Sequence, residues 1–205
     1  GPPGGGHRQM GLPLGCASLC MGGLANPGCS HLSVLFTSEG FSSATVALII
    51  SGTGVMITLG KLIFGEATDH IGGGRSTLLF GGILVVGHVL CCLAFTQSLV
   101  LAVLTVLFLG LGSPIPTMGP SVWANDLAAP EQYPTVVRRL QVIYAGGALA
   151  FSSLPGIPAA HLGGYLPAYL LFTTINVLSL VCLALSSRAG KPDRHPHTTT
   201  AHPSL

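Results

Sequence analysis

Long apolar runs alternate along the chain with short polar ones. A helix needs about 20 predominantly apolar residues to cross the hydrocarbon core of a bilayer. Six runs qualify, at about 11–36, 43–64, 76–95, 99–122, 140–160 and 165–185. The pattern therefore predicts an all-α polytopic membrane protein with six transmembrane helices. The third and fourth runs are joined only by T-Q-S at 96–98, which makes them a tight antiparallel hairpin. The first run is the least regular, because Pro13, Pro27 and several glycines interrupt it. On this reading residues 11–187 form the transmembrane domain. Residues 1–10 are a linker or a truncated N-terminus, with no signal-peptide pattern. Residues 188–205 are a polar, proline-broken tail expected to be disordered.

Composition sharpens this picture. Charged residues make up 7% of the chain, hydrophobic residues 49%, and the mean hydropathy is +0.69. A soluble domain carries roughly 25% charged residues, so lipid is the natural solvent here. A net charge of +2 gives no reason to expect nucleic acid as a partner. The six cysteines, Cys16, Cys20, Cys29, Cys91, Cys92 and Cys182, lie in apolar stretches without C-x-x-C spacing. They read as small buried hydrophobes rather than a disulfide or metal framework. His195, His197 and His202 in the tail read as part of a polar segment, not a metal site. No cofactor, metal or catalytic group is expected.

The few charges fix a topology. With six spans both termini share a side, together with the connections at 65–75 and 126–139. All eight basic residues fall on that side: Arg8, Lys61, Arg75, Arg138, Arg139, Arg188, Lys191 and Arg194. The opposite connections, near 37–42, 96–98 and 161–166, contain none. The positive-inside rule then places both termini in the cytoplasm of a multi-pass protein of the cell membrane.

An internal repeat is also visible. G-E-A-T-D-H-I-G-G at 65–73 follows the second span, and G-I-P-A-A-H-L-G-G at 156–164 follows the fifth. Upstream, E-G-F-S at 39–42 and E-Q-Y-P at 131–134 precede the same two spans at nearly the same offset. Two three-helix copies of opposite orientation follow, a 3+3 inverted repeat of the kind secondary transporters use. Asp69 of the first copy aligns with Ala160 of the second, so the charges stay on the cytoplasmic copy.

The stretch G-E-A-T-D-H-I-G-G-G-R at 65–75 resembles the cytoplasmic signature of the major facilitator superfamily, G-x-x-x-D-[R/K]-x-G-[R/K]-[R/K]. Gly65, Asp69 and Gly72 match its spacing. His70, Gly73 and Gly74 depart from its basic positions, and Arg75 comes one position late. Two further stretches, 31–42 and 165–172, are similar to the oxalate/formate-antiporter and monocarboxylate-transporter branch. The resemblance covers about residues 11–187 and implies half of a twelve-helix fold. L-T-V-L-F-L-G-L-G-S-P at 104–114 lacks the Arg that N-terminal halves carry in the fourth span, and the tail is basic. The chain thus resembles the C-terminal half. The implied partners are a small-molecule solute, the lipid bilayer, and a matching N-terminal six-helix half or a second copy.

The resemblance also assigns candidate roles. It implies a gate on the cytoplasmic side made of Gly65, Asp69, Gly72 and Arg75. There Asp69 pairs with Arg75, Arg138 or Arg139, and Gly65 and Gly72 allow close backbone approach. In the family fold the first, second, fourth and fifth spans face the cavity, and the third and sixth face lipid. The substrate-cavity candidates are Asn26, His31, Thr53, Ser113, Thr117, Gln141 and Tyr144, with Ser51, Thr58 and Ser152 as further polar positions. For any single hydroxyl, a local bond within its own helix is the plainer reading. His88, on the third span, is discounted as a proton relay. In the fourth span, prolines and glycines at 109–120 predict a helix broken near mid-membrane. In the fifth, Ala148, Ser152, Gly156 and Ala160 form a ridge of small residues suited to close packing.

Three functions compete on the sequence. A transporter half working by alternating access moves a small solute; an organic anion follows from the branch resemblance. No Lys, Arg, Asp or Glu lies at mid-membrane, so either the other half supplies an anion's counter-charge or the substrate is not an anion. The alternative is a non-transporting membrane scaffold or degenerate fragment. An intramembrane serine protease using Ser113 and His161 is disfavoured, because G-L-G-S-P lacks the Gly expected after the nucleophile.

Overall fold

The computed structural model describes residues 5–25, 31–128, 130–152 and 165–189. Asn26, Gly156, Ala160, His161 and the histidines of the tail lie outside these residues. The described residues are mostly helical, joined by short turns, and contain no strand. The helices are α1 (Gly5–Ala25), α2 (Leu32–Ser38), α3 (Ser43–Ile71), α4 (Gly73–Cys92), α5 (Leu99–Gly112), α6 (Pro114–Leu127), α7 (Tyr133–Ser152) and α8 (Leu166–Ala189). A 3₁₀ turn at Ala94–Thr96 closes the short connection after α4.

Among the described residues, four helical stretches are long and apolar enough to cross a membrane: Ser43–Ile71, Gly73–Cys92, Leu99–Asp126 and Leu166–Leu185. Leu14–Leu24 is a shorter apolar helix. The sequence reading of six spans therefore meets these criteria at four. The first run is divided between α1 and α2, with residues 26–30 outside the description. In the fifth, α7 opens with Arg138 and Arg139 near its start, and 153–160 lie outside the described residues.

Local chemistry explains the helix ends. Ser42 caps α3, its hydroxyl accepting from the Thr45 N–H at 3.2 Å, which satisfies one of the free amides of the first turn. Gln97 adopts φ 52 at the hairpin between α4 and α5, and its side-chain amide donates to the Glu39 carbonyl at 2.8 Å. The expected mid-membrane break in the fourth span is mild. Only Ser113 separates α5 from α6, and its N–H still donates to the Leu109 carbonyl at 3.0 Å. Pro114 and Pro116 fall in the first turn of α6, where a missing N–H removes little; Pro120 lies inside that helix.

Packing follows a definite scheme. α1 packs on α7, α8 and α6; α4 packs on α5, α6 and α8; α3 packs on α5 and α4; α6 also meets α7, and α2 meets α3. Glycines set the closest approaches. A Cβ on Gly22 would overlap the Tyr144 carbonyl, and one on Gly147 the Leu19 carbonyl, so α1 and α7 touch backbone to backbone. Hydrogen bonds also cross between helices. Ser18 donates to the Leu140 carbonyl at 2.7 Å, Ser179 to the Ala17 carbonyl at 3.3 Å, and the Trp123 indole N–H to Thr77 Oγ1 at 3.1 Å. The core is aromatic at several levels, with Phe64 edge-on to Phe80 at 5.3 Å and Tyr169 edge-on to Phe172 at 5.5 Å. Outside it, large apolar side chains face away from the protein: Leu48 is 74% exposed and Leu149 78%. Such surfaces suit a hydrocarbon solvent.

Candidate functional site

The signature stretch is a corner between two helices rather than the loop expected over 65–75. α3 has 29 residues, a length of about 43 Å. That exceeds the roughly 30 Å hydrocarbon thickness, so the last turns of α3, which carry Gly65, Glu66 and Asp69, have helix to spare beyond the apolar layer. Gly72 alone interrupts the chain. It accepts the end of α3 and launches α4: its N–H donates to the Thr68 carbonyl at 3.0 Å, and its carbonyl accepts from the Ser76 N–H at 3.1 Å and the Ser76 hydroxyl at 2.8 Å.

The glycines divide the work differently from the sequence reading. Gly72 has φ 85 and ψ 153, a region essentially closed to side-chain-bearing residues. A Cβ on Gly72 or on Gly65 would meet nothing within 4 Å. Close approach therefore belongs to neither residue; Gly72 supplies conformation. The close approach falls to Gly73, where a Cβ would overlap the Asp126 carboxylate and the Val122 side chain. Asp126, at the end of α6, thus places its negative charge over the N-terminus of α4, the positive end of that helix dipole. Sequence reasoning did not single out Asp126 or Gly73. The position of N-D-L at the end of an apolar run was the available signal.

Asp69, Arg75, Arg138 and Arg139 are all exposed, and among the described residues the one ion pair joins Glu66 to His70, Oε1 to Nε2, at 3.1 Å. That pair spans one helical turn, the spacing at which side chains meet. Asp69 and Arg75 lie on different helices, either side of Gly72, each in solvent, where pairing gains little over hydration. Arg139 instead lines a cavity of about 660 Å³ between α1 and α7, together with Glu131.

Most of the polar candidates are occupied within their own helices. Thr53 is buried and donates to the Ile49 carbonyl at 2.7 Å; Ser113 donates to the Leu109 carbonyl at 2.6 Å; exposed Thr117 donates to the Pro114 carbonyl at 3.1 Å. Thr58 and Ser152 do the same, to Gly54 and Leu149. His31 lies half-buried at the start of α2, its ring 6.3 Å from that of Tyr165. Tyr144 packs against the core, and Gln141 is half-buried on α7. In the small-residue ridge, Ala148 packs close to Gly22, while Ser152 is exposed.

Two buried polar residues on the helices expected to face lipid were passed over or discounted. His88 on α4 is buried, with Nδ1 3.0 Å from the Leu84 carbonyl and its ring set beside Tyr169 and Phe172. Asn176 on α8 is fully buried. His88 sits where α4 and α8 pack on one another, and Asn176 is buried on α8, so these helices have a substantial inner face.

Comparison with known proteins bears on the whole chain. Neither the search of curated proteins nor that of solved structures returned a match. A family model, Major Facilitator Superfamily, matches residues 14–204, taking in every described helix except the first turns of α1. It matches the superfamily and does not select the oxalate/formate or monocarboxylate branch. With apolar helices of spanning length, the Gly65, Asp69 and Gly72 spacing, and a match over nearly its full length, this chain belongs to the major facilitator superfamily of membrane transporters.

Proposed function

We propose that the chain works as one six-helix half of a secondary transporter, moving a small solute by alternating access. The observation that carries this reading is the pattern of helix packing. Count α1 with α2 as the first unit, α3 and α4 as the second and third, α5 with α6 as the fourth, and α7 and α8 as the fifth and sixth. Exchanging first with fourth, second with fifth and third with sixth turns the α1–α7 contact into the α5–α3 contact. It turns α1–α8 into α5–α4 and α6–α7 into α2–α3, and leaves α1–α6 and α4–α8 in place. The α3–α4 contact is the exception, since its image would join α7 to α8 across residues 153–164.

Two cavities obey the same exchange. One lies between α1 and α7; the other, of about 330 Å³, lies between α5 and α3, lined by Thr45, Leu48, Ala102 and Val106. This pseudo-symmetry supports a 3+3 inverted repeat, the architecture on which rocking transport is built. The partner is a matching six-helix half or a second copy. The exposed apolar faces of α3 and α7, with Leu48, Leu62, Val142 and Leu149, are surface such a partner would cover. The eight basic residues, all on one predicted side, support a cell-membrane location with cytoplasmic termini. An organic anion as substrate rests on the resemblance at 31–42 and 165–172 alone.

The test is substrate flux in proteoliposomes containing the chain with and without a matching six-helix half. Flux that needs both halves supports the proposal. Robust flux by a strict monomer refutes the half-transporter reading, because one half exposes its cavity face to lipid. Absence of flux with every compatible half favours the scaffold.

A further inference from the structure

The cavity between α1 and α7 combines features that the transport reading leaves unused. Its floor is apolar: Leu14 of α1 and Leu140 of α7 are both buried, and Ile143 continues the same wall. Its rim is polar, with Glu131 and Gln132 in the turn that precedes α7 and Thr135 and Arg139 four apart at the start of that helix. Helical spacing of four places Thr135 and Arg139 on one face, beside the apolar wall of Leu140 and Ile143, and Glu131 faces the same cavity from the preceding turn. The volume, about 660 Å³, lies within the roughly 300–1,000 Å³ of small-molecule sites.

The charges give the chemistry. Glu131 and Arg139 face one cavity, yet neither joins an ion pair among the described residues. Opposite charges held apart over an apolar floor match an amphiphile whose headgroup carries both signs. We infer that this cavity binds a zwitterionic ethanolamine phospholipid. The guanidinium of Arg139 takes the phosphodiester, for which its planar fork of donors is suited. The carboxylate of Glu131 accepts from the primary ammonium, and an acyl chain lies along Leu14, Leu140 and Ile143. On the six-span reading of the proposed function, Arg138 and Arg139 mark the charged start of the fifth span and Leu140 begins its apolar run, so the site falls at the depth of a lipid headgroup. An anionic lipid would meet repulsion at Glu131. A choline headgroup offers no N–H to donate.

The full chain, purified in detergent, is titrated with phosphatidylethanolamine, phosphatidylcholine and phosphatidylglycerol of identical acyl chains, and with soluble glycerophosphoethanolamine. Bound molecules are counted by native mass spectrometry. Phosphatidylethanolamine is expected to bind about tenfold tighter than phosphatidylglycerol, the scale of one charge-assisted contact. Arg139→Gln lowers its binding about tenfold, and Glu131→Gln removes the preference over phosphatidylglycerol. Glu131→Lys reverses that preference, while Lys61→Gln, outside the cavity, changes nothing. Equal binding of phosphatidylglycerol to the unmodified chain overturns the inference, as do unchanged affinities in the Arg139 and Glu131 variants. If glycerophosphoethanolamine binds as tightly as the lipid, the apolar floor takes no part and the lipid is excluded as the ligand.

Discussion

Alanine at Gly112 and alanine at Gly82 should have opposite effects, and the contrast isolates the α4–α5 packing. A Cβ at Gly112 would stand 2.5 Å from both the Cα and the N of Leu84. Carbon atoms rest at about 3.5–4.0 Å, so α4 and α5 must separate by about 1 Å. Leu84 is met through its backbone, and no rotamer change relieves the collision. Overpacking of this kind costs about 1–3 kcal/mol. At Gly82 a Cβ would meet nothing within 4 Å. There the substitution yields only the helix-propensity gain, about 0.8–1.0 kcal/mol. Because both sites are helical, that gain cancels in the comparison, and the difference between the two variants is the packing cost itself. Thermal unfolding in detergent, followed by the fluorescence of Trp123, should place Gly112→Ala several degrees below Gly82→Ala. Gly87, whose Cβ would stand 2.6 Å from the Leu109 N, should behave like Gly112. Equal midpoints for the Gly112 and Gly82 variants would refute the close backbone approach.

The corner yields a second prediction. Gly72→Ala imposes a side chain on φ 85, ψ 153 and should destabilise by about 1–3 kcal/mol, whereas Gly65→Ala should be neutral or slightly stabilising; the same unfolding assay reads both. In a transporter assembled from both halves, Asp69→Asn should shift the population toward the inward-facing state and lower transport without impairing insertion. Unchanged accessibility and flux would reduce Asp69 to a solvated turn charge. A cysteine at Ser98, in a background without native cysteines, should react with an impermeant thiol reagent added outside cells, and one at Gly74 should not; the reverse pattern would invert the topology.

The sequence by itself determined the class of this protein, because crossing a bilayer depends on local quantities. Length and apolarity at 43–64, 76–95, 99–122 and 165–185 were enough, and helical stretches long and apolar enough to cross a membrane stand there. The short turn at 96–98 was legible for the same reason. The spacing of Gly65, Asp69 and Gly72 carried the family. Tertiary structure alone decided which faces meet. In a soluble helix a polar stripe marks the outside; these helices are apolar on every side, so sequence pattern gives no inner face. That is why Gly73 rather than Gly65 proved to be the contact glycine, and why the burial of Asn176 and His88 was not foreseen. It is also why Asp126, a lone carboxylate at a helix end, acquired meaning only when α6 brought it to the start of α4.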